Sequence, residues 1–220
     1  MNSAMGFQDN EDLAFFGKVN ASISHELKNI LAIISETAGF LNDLTEMAKE
    51  GRDIDLEMLK TCSKDIVEEI QRGFVTIKHM NRFSHSVDDP LKSVNLVEIL
   101  DLMIGLAGFL SFAGKVRFEP QEEAGPVVET SPFRLQNLIY KALVFAFESA
   151  GPDSEIHVSI HPEQKGDVRI HFSGFRIMDG GAFPEDKTRK IAETIGVQIQ
   201  VSGDSRAFDI LVPAKADGGG

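Results

Sequence analysis

The sequence predicts an α+β protein: an N-terminal helical hairpin followed by a sandwich of helices on one face of a mixed sheet. Two observations carry that expectation. First, Ile23, Leu27, Ile30, Ile34, Thr37, Leu41, Leu44 and Ala48 follow one another at alternating steps of four and three residues. This is the spacing of a helix with a coiled-coil-like seam. Second, beyond Pro90 the pattern changes to short stretches such as Glu155–His161, where apolar and polar residues alternate as on a half-buried strand.

The elements follow in order. A first helix is expected from about Glu11 to Lys49, stopping near Gly51. A second runs from about Asp55 to Ser86, with Leu56, Leu59, Ile66, Ile70, Ile77 and Met80 as its stripe, widened by Val67 and Phe74. Asp88-Asp89-Pro90 ends it, because a residue before proline avoids helical geometry. One hairpin cannot cover two apolar helix faces, and pairing two hairpins into a four-helix bundle is the usual remedy. A homodimer is therefore expected.

Further on, Leu96–Leu110 and Phe133–Glu148 read as helices, the latter with Ser131-Pro132 as cap and first turn. Lys115–Glu119 and Val127–Glu129 are short strand candidates. Glu155–His161 and Val168–Phe172 form strands around a Gly166-Asp167 turn. Lys187–Ile195 is a helix closed by Gly196, and Val197–Val201 and Ala207–Val212 make a hairpin across Gly203-Asp204. The domains are expected at 11–88 and 92–214, with ends up to about Asn10 and from Lys215 to Gly220 disordered.

Bulk properties bound the function. The chain has 220 residues, of which 42% are hydrophobic, as in an ordinary globular protein. No apolar run approaches the roughly 20 residues that span a bilayer, and no secretion signal is visible. The single cysteine, Cys62, excludes an internal disulfide framework and fits a reducing compartment. A cytoplasmic location is expected. The net charge of −12 argues against nucleic acid and anionic lipid as partners.

Within the seam, taking Ile23 as heptad position d puts His25 at f, facing solvent, with Asn29 one turn further on the same face. Free imidazole, with a pKa of about 6.5, is mostly neutral at pH 7, so a ring nitrogen can act as nucleophile. Glu26 can accept a hydrogen bond from the other ring nitrogen, and Asn29 can position a phosphoryl group or a water. Lys28 can add positive charge, or be merely solvated. His79 and His85 default to surface residues. His157, His161 and His171 fall in the sheet without metal-ligand companions, and no zinc or nucleophilic-triad pattern is present.

The run Ser24-His25-Glu26-Leu27-Lys28-Asn29 resembles the H-box of two-component histidine kinases, which bears the phosphorylated histidine. The family usually continues with proline; here the residue is Ile30, so the helix should be straighter. Its phosphatase motif, an acid followed three residues later by Asn or Thr, is matched by Glu26 and Asn29. The second half resembles the family's ATP-binding domain in architecture. Thr130–Gln136 is similar to the run entering the N-box helix, and Ala207–Pro213 to the final strand. The resemblance thus covers about Glu11 to Pro213.

The nucleotide chemistry departs from the family. A working N-box has two Asn residues four apart that hold magnesium and phosphates; the aligned positions here are Lys141 and Phe145. Lysine is a cation and phenylalanine offers no hard oxygen ligand. The Asp-x-Gly-x-Gly motif that reads adenine is replaced by Ser173-Gly174-Phe175-Arg176-Ile177, and only nine residues, Met178 to Asp186, stand where the long lid belongs. Gly180-Gly181 reads as a turn or a phosphate-loop remnant. The resemblance therefore implies a kinase-type domain with a degenerate nucleotide site, no ATP or metal bound by this chain, and magnesium on a receiver partner.

Three functions are compatible with these residues. The first is a histidine phosphotransferase that moves phosphoryl groups between receiver-domain aspartates through His25, with Glu26 and Asn29 in the site and Lys28 in support. The second is a soluble histidine autokinase with a divergent ATP site. The third is a non-catalytic pseudokinase that regulates a response regulator, or acts as its phosphatase.

Overall fold

The computed structural model describes residues 10–108, 115–120, 125–150, 154–174, 183–203 and 206–215. The chain divides into two compact units: Gly17–Arg82, and Phe83 onward together with the residues up to Phe16. Both boundaries fall inside the helices that the sequence assigns whole to the hairpin.

The first unit is built from most of α1 (Asn10–Lys49) and α2 (Leu56–Ser84). Ile23, Ile30 and Leu44 of the seam are buried, and Leu27, Ile34, Thr37 and Leu41 are half-buried, whereas Ala48 at its end is exposed. From α2, Cys62 and Thr76 are buried and Leu59, Ile66 and Gly73 half-buried at the same period. Gly73 lies close to Ile30: a Cβ placed there would meet the Ile30 side chain at 3.7 Å. Gly51 ends α1 because its φ of +83° is left-handed, and the Gly51 and Arg52 amides close back on the Ala48 and Met47 carbonyls at 2.9 and 3.2 Å. Asp55 caps α2, its Oδ1 accepting from the Glu57 amide at 2.9 Å.

The second unit is the expected α+β sandwich. After a 3-10 turn at His85–Val87, β1 (Lys92–Asn95) pairs antiparallel with β3 (Val127–Thr130). This β1 strand had no sequence signal: four residues, Lys-Ser-Val-Asn, are too few to show a period. Asn95 then caps α3 (Leu96–Gly108), its Oδ1 accepting from the Val97 and Glu98 amides at 2.9 and 3.3 Å. The main sheet runs in the order β2 (Lys115–Phe118), β4 (Glu155–Pro162), β5 (Val168–Ser173), β7 (Ala207–Val212), β6 (Gln198–Val201). Only β2 and β4 are parallel; the other pairs are antiparallel.

Alternation decides which face is buried. Val158, Phe172 and Phe208 lie in register across β4, β5 and β7, as do Ile160, Ile170 and Ile210, and all of these but the half-buried Ile160 are buried on the covered face. The opposite face shows Ser159, His171 and Asp209 in register. The helix α4 (Pro132–Ala150) packs on α3 and β4, and α5 (Asp186–Thr194) on α4 and β6. The expected disordered ends, apart from Asn10 and Lys215, and the Gly180-Gly181 pair lie outside the described residues, as does Asp204 of the last hairpin turn.

Candidate functional site

The helix geometry of α1 sends His25 outward, and the side chain is exposed, as is that of Asn29. The Asn29 amide nitrogen lies 3.2 Å from His25 Nδ1, so two residues one turn apart form one polar unit on the solvent face. Lys28 is exposed beside them.

Glu26 goes elsewhere. Successive side chains on an α-helix diverge by about 100°, and Glu26 turns toward α2, where it is only 9% exposed. Its Oε1 accepts from Arg72 Nε at 2.8 Å and also from Arg72 Nη2. The guanidinium is shared: Arg72 Nη1 donates to both carboxylate oxygens of Glu69 at 2.9 Å. The hydrogen bond to Glu26, more than any other influence, raises the Arg72 pKa above its already high ordinary value. Sequence reasoning missed Arg72 and Glu69. Their three-residue spacing was visible, but their relation to Glu26, 46 positions before Arg72, follows only from the pairing of the helices.

At Lys141 and Phe145, the positions aligned with the N-box by resemblance, the structure places side chains of this chain. The Phe145 ring stacks on Phe183 with centroids 4.5 Å apart and planes 14° apart. Phe183 in turn lies 4.7 Å from Phe208, and Phe208 stacks on Phe172 at 4.7 Å and 11°. Lys141 Nζ donates to Glu185 Oε1 at 3.0 Å. That bond is the main cause lowering the Glu185 pKa below the usual carboxylate range. Gly174 is required by packing: its φ is +103° and a Cβ would come within 2.3 Å of the Glu155 carbonyl oxygen. It is explained without a nucleotide. Two stacked phenylalanine pairs and an ion-paired lysine offer none of the hard oxygen ligands that magnesium needs. Of the aligned motif, residues 175–182 lie outside the described residues.

The remaining histidines take local partners. His85 has its Nδ1 2.7 Å from Asp88 Oδ2. His171 Nδ1 is 2.7 Å from Asp209 Oδ1, and Ser159 Oγ is 2.9 Å from His161 Nε2. Among the described residues no group of three or more His, Cys, Asp or Glu is placed to hold a metal. Cys62 is a buried free thiol. No described helix is long and apolar enough to cross a membrane.

No family model and no curated protein matches the chain in sequence. Among solved structures it is similar to histidine kinases. The nucleotide-free catalytic domain of histidine kinase ThkA aligns at 16% identity and a TM-score of 0.46, covering 58% of this chain and 99% of that one. ThkA in complex with the response regulator protein TrrA aligns at 20% identity and 0.47, over 95% of this chain and 65% of that one. Histidine kinase AdeS of Acinetobacter baumannii aligns at 10% identity and 0.47, over 86% and 98%.

Proposed function

We propose that the chain is a histidine phosphotransferase of a two-component phosphorelay, which carries a phosphoryl group between receiver-domain aspartates on His25. The observation that carries this reading is the His25–Asn29 unit: a solvent-facing imidazole with an amide on its ring nitrogen, within a run that resembles the H-box. A receiver's aspartyl phosphate can reach an exposed ring without rearrangement of the hairpin. As the N–P bond forms, the acyl-phosphate P–O bond breaks and its electron pair leaves with the receiver's carboxylate. The reverse step delivers the group to a second receiver.

The aromatic filling of the N-box positions favours a phosphotransferase over an autokinase, because Phe145 and Phe183 occupy each other where ligand oxygens would be needed. Magnesium then belongs to the receiver's acidic pocket. A pseudokinase regulator would not require the ring of His25 at all. A homodimer is part of the proposal. Ile33, Phe40 and Met47 recur every seven residues on α1, and Val67, Ile70, Phe74 and Ile77 at steps of three, four and three on α2, all exposed. A second apolar stripe of this kind is what a four-helix bundle buries.

The test is labelling of purified protein, wild type beside His25→Ala. With γ-labelled Mg-ATP no acid-labile label is expected on either. With a panel of receivers phosphorylated on aspartate, label is expected on the wild type alone. Label from ATP that requires His25 would make this an autokinase; regulation of a receiver that survives His25→Ala would make it a pseudokinase.

A further inference from the structure

The residue adjacent to a phosphorylatable histidine is the obvious ring partner by sequence, and the geometry assigns that place differently. Glu26 is turned into the hairpin, and both Arg72 contacts converge on its Oε1. Arg72 is itself anchored by two bonds to Glu69, so the guanidinium bridges a carboxylate on each helix. The group that reaches the imidazole is the Asn29 amide, at Nδ1.

We propose that Asn29, rather than Glu26, is the positioning residue of the His25 ring and selects its tautomer, while Arg72 holds Glu26 as a clamp between the helices. This rests on the reading of His25 as a phosphoryl acceptor. A primary amide carries a donor NH2 and an acceptor oxygen on one planar group, and a half-turn exchanges them. With the NH2 toward the ring, Nδ1 accepts, the neutral ring keeps its proton on Nε2, and Nε2 has no free lone pair. With Asn29 Oδ1 toward the ring, Nδ1–H donates and the Nε2 lone pair is free to attack phosphorus. In that state the N–P bond forms at Nε2, the electron pair of the broken P–O bond departs with the donor's carboxylate, and the ring retains its Nδ1 proton. The positive charge it acquires faces Oδ1. One amide rotation thus separates a resting ring from a nucleophilic one, and Glu26 takes no part in the choice.

The experiment reads the ring directly in the full-length protein. Long-range proton–nitrogen spectra of histidine-labelled protein, taken where the rings are neutral, give the Nδ1–H to Nε2–H ratio at His25. Asn29→Asp, which offers only acceptors, is expected to raise the Nδ1–H share, and Asn29→Ala to let the ratio drift toward that of free imidazole. Glu26→Gln and Arg72→Gln are expected to leave it unchanged. In parallel, phosphoramidate is used as the phosphoryl donor, and Asn29→Ala is expected to slow labelling of His25 by about two- to tenfold, the range of a single hydrogen bond. A ratio that ignores both Asn29 variants, or one that moves in Glu26→Gln, overturns the proposal. Failure of the phosphotransferase reading itself would look different: the tautomer shifts would persist, while phosphorylated receivers left His25 unlabelled.

Discussion

Glu26 exchanges water for one guanidinium, and the consequence is a stability term that His25 does not share. Removing Arg72 leaves a nearly buried carboxylate without its two donors. Breaking one side of such a pair costs more than the pair contributes, because the survivor keeps its desolvation penalty. Arg72→Met is therefore expected to lower stability by about 1–3 kcal/mol, read as a lower urea midpoint at unchanged slope. Glu69→Gln, which leaves both bonds to Glu26 in place, should cost clearly less; equal losses would place the clamp at Glu69 instead. At Lys141 the ion pair makes stability depend on pH. Its bond holds the Glu185 pKa below the ordinary value of about 4.3. A lowered folded-state pKa contributes stability that is present above the unfolded value and fades as pH falls through the folded one. Lys141→Met should thus narrow the gap to wild type below about pH 4, and the effect should be small, since Glu185 is exposed.

The elements show which physical signals a sequence transmits. Both long helices were legible because apolar residues recur at helical spacing over many turns, and on α1 Ile23, Ile30 and Leu44 are buried at the spacing of the seam. The strands β4, β5 and β7 were legible for the same reason with a period of two. Their order across the sheet was not, since the parallel pairing of β2 with β4 leaves no mark in either segment. The site divided likewise. The outward face of His25 and Asn29 follows from one helix alone, whereas the diversion of Glu26 depends on a second helix. Lys141 and Phe145 were visible in the sequence, but what packs against Phe145 was not: Phe183 lies 38 residues beyond it and carries no periodic signal. The stack makes its own prediction. Phe183 is 6% exposed, so Phe183→Ala should cost about 3–5 kcal/mol in thermal or urea unfolding. On the proposed reading, Lys141→Asn with Phe145→Asn is expected to show no Mg-ATP binding by calorimetry, because Phe183 and Phe208 still lie against position 145. Tight binding in the double variant would show that the two substitutions alone had closed the site.

A second aromatic group ties the N-terminal turns of α1 into the sandwich unit. Phe15 lies 5.5 Å from Phe83, 5.4 Å from Phe133 and 5.2 Å from Tyr140, which is why the compact units divide at Phe16 and Arg82 rather than at the helix ends. The hairpin unit is thereby left with one covered seam and one bare stripe, and the two forces on that stripe oppose each other. Burial of Phe40, Val67, Ile70, Phe74 and Ile77 against a second copy would remove large apolar surfaces from water. Bringing together two chains of net charge −12 raises electrostatic repulsion. An association driven by apolar burial against like charge should tighten as salt screens the repulsion, whereas one held by ion pairs should loosen. Sedimentation equilibrium across salt concentrations is expected to show the first trend. Ile70→Glu with Phe74→Glu should give a folded monomer by the same measurement, since both side chains are exposed and neither lines the intrachain seam. A dimer that survives this pair would move the interface off the α2 stripe, and with it the four-helix arrangement that the stripe implies.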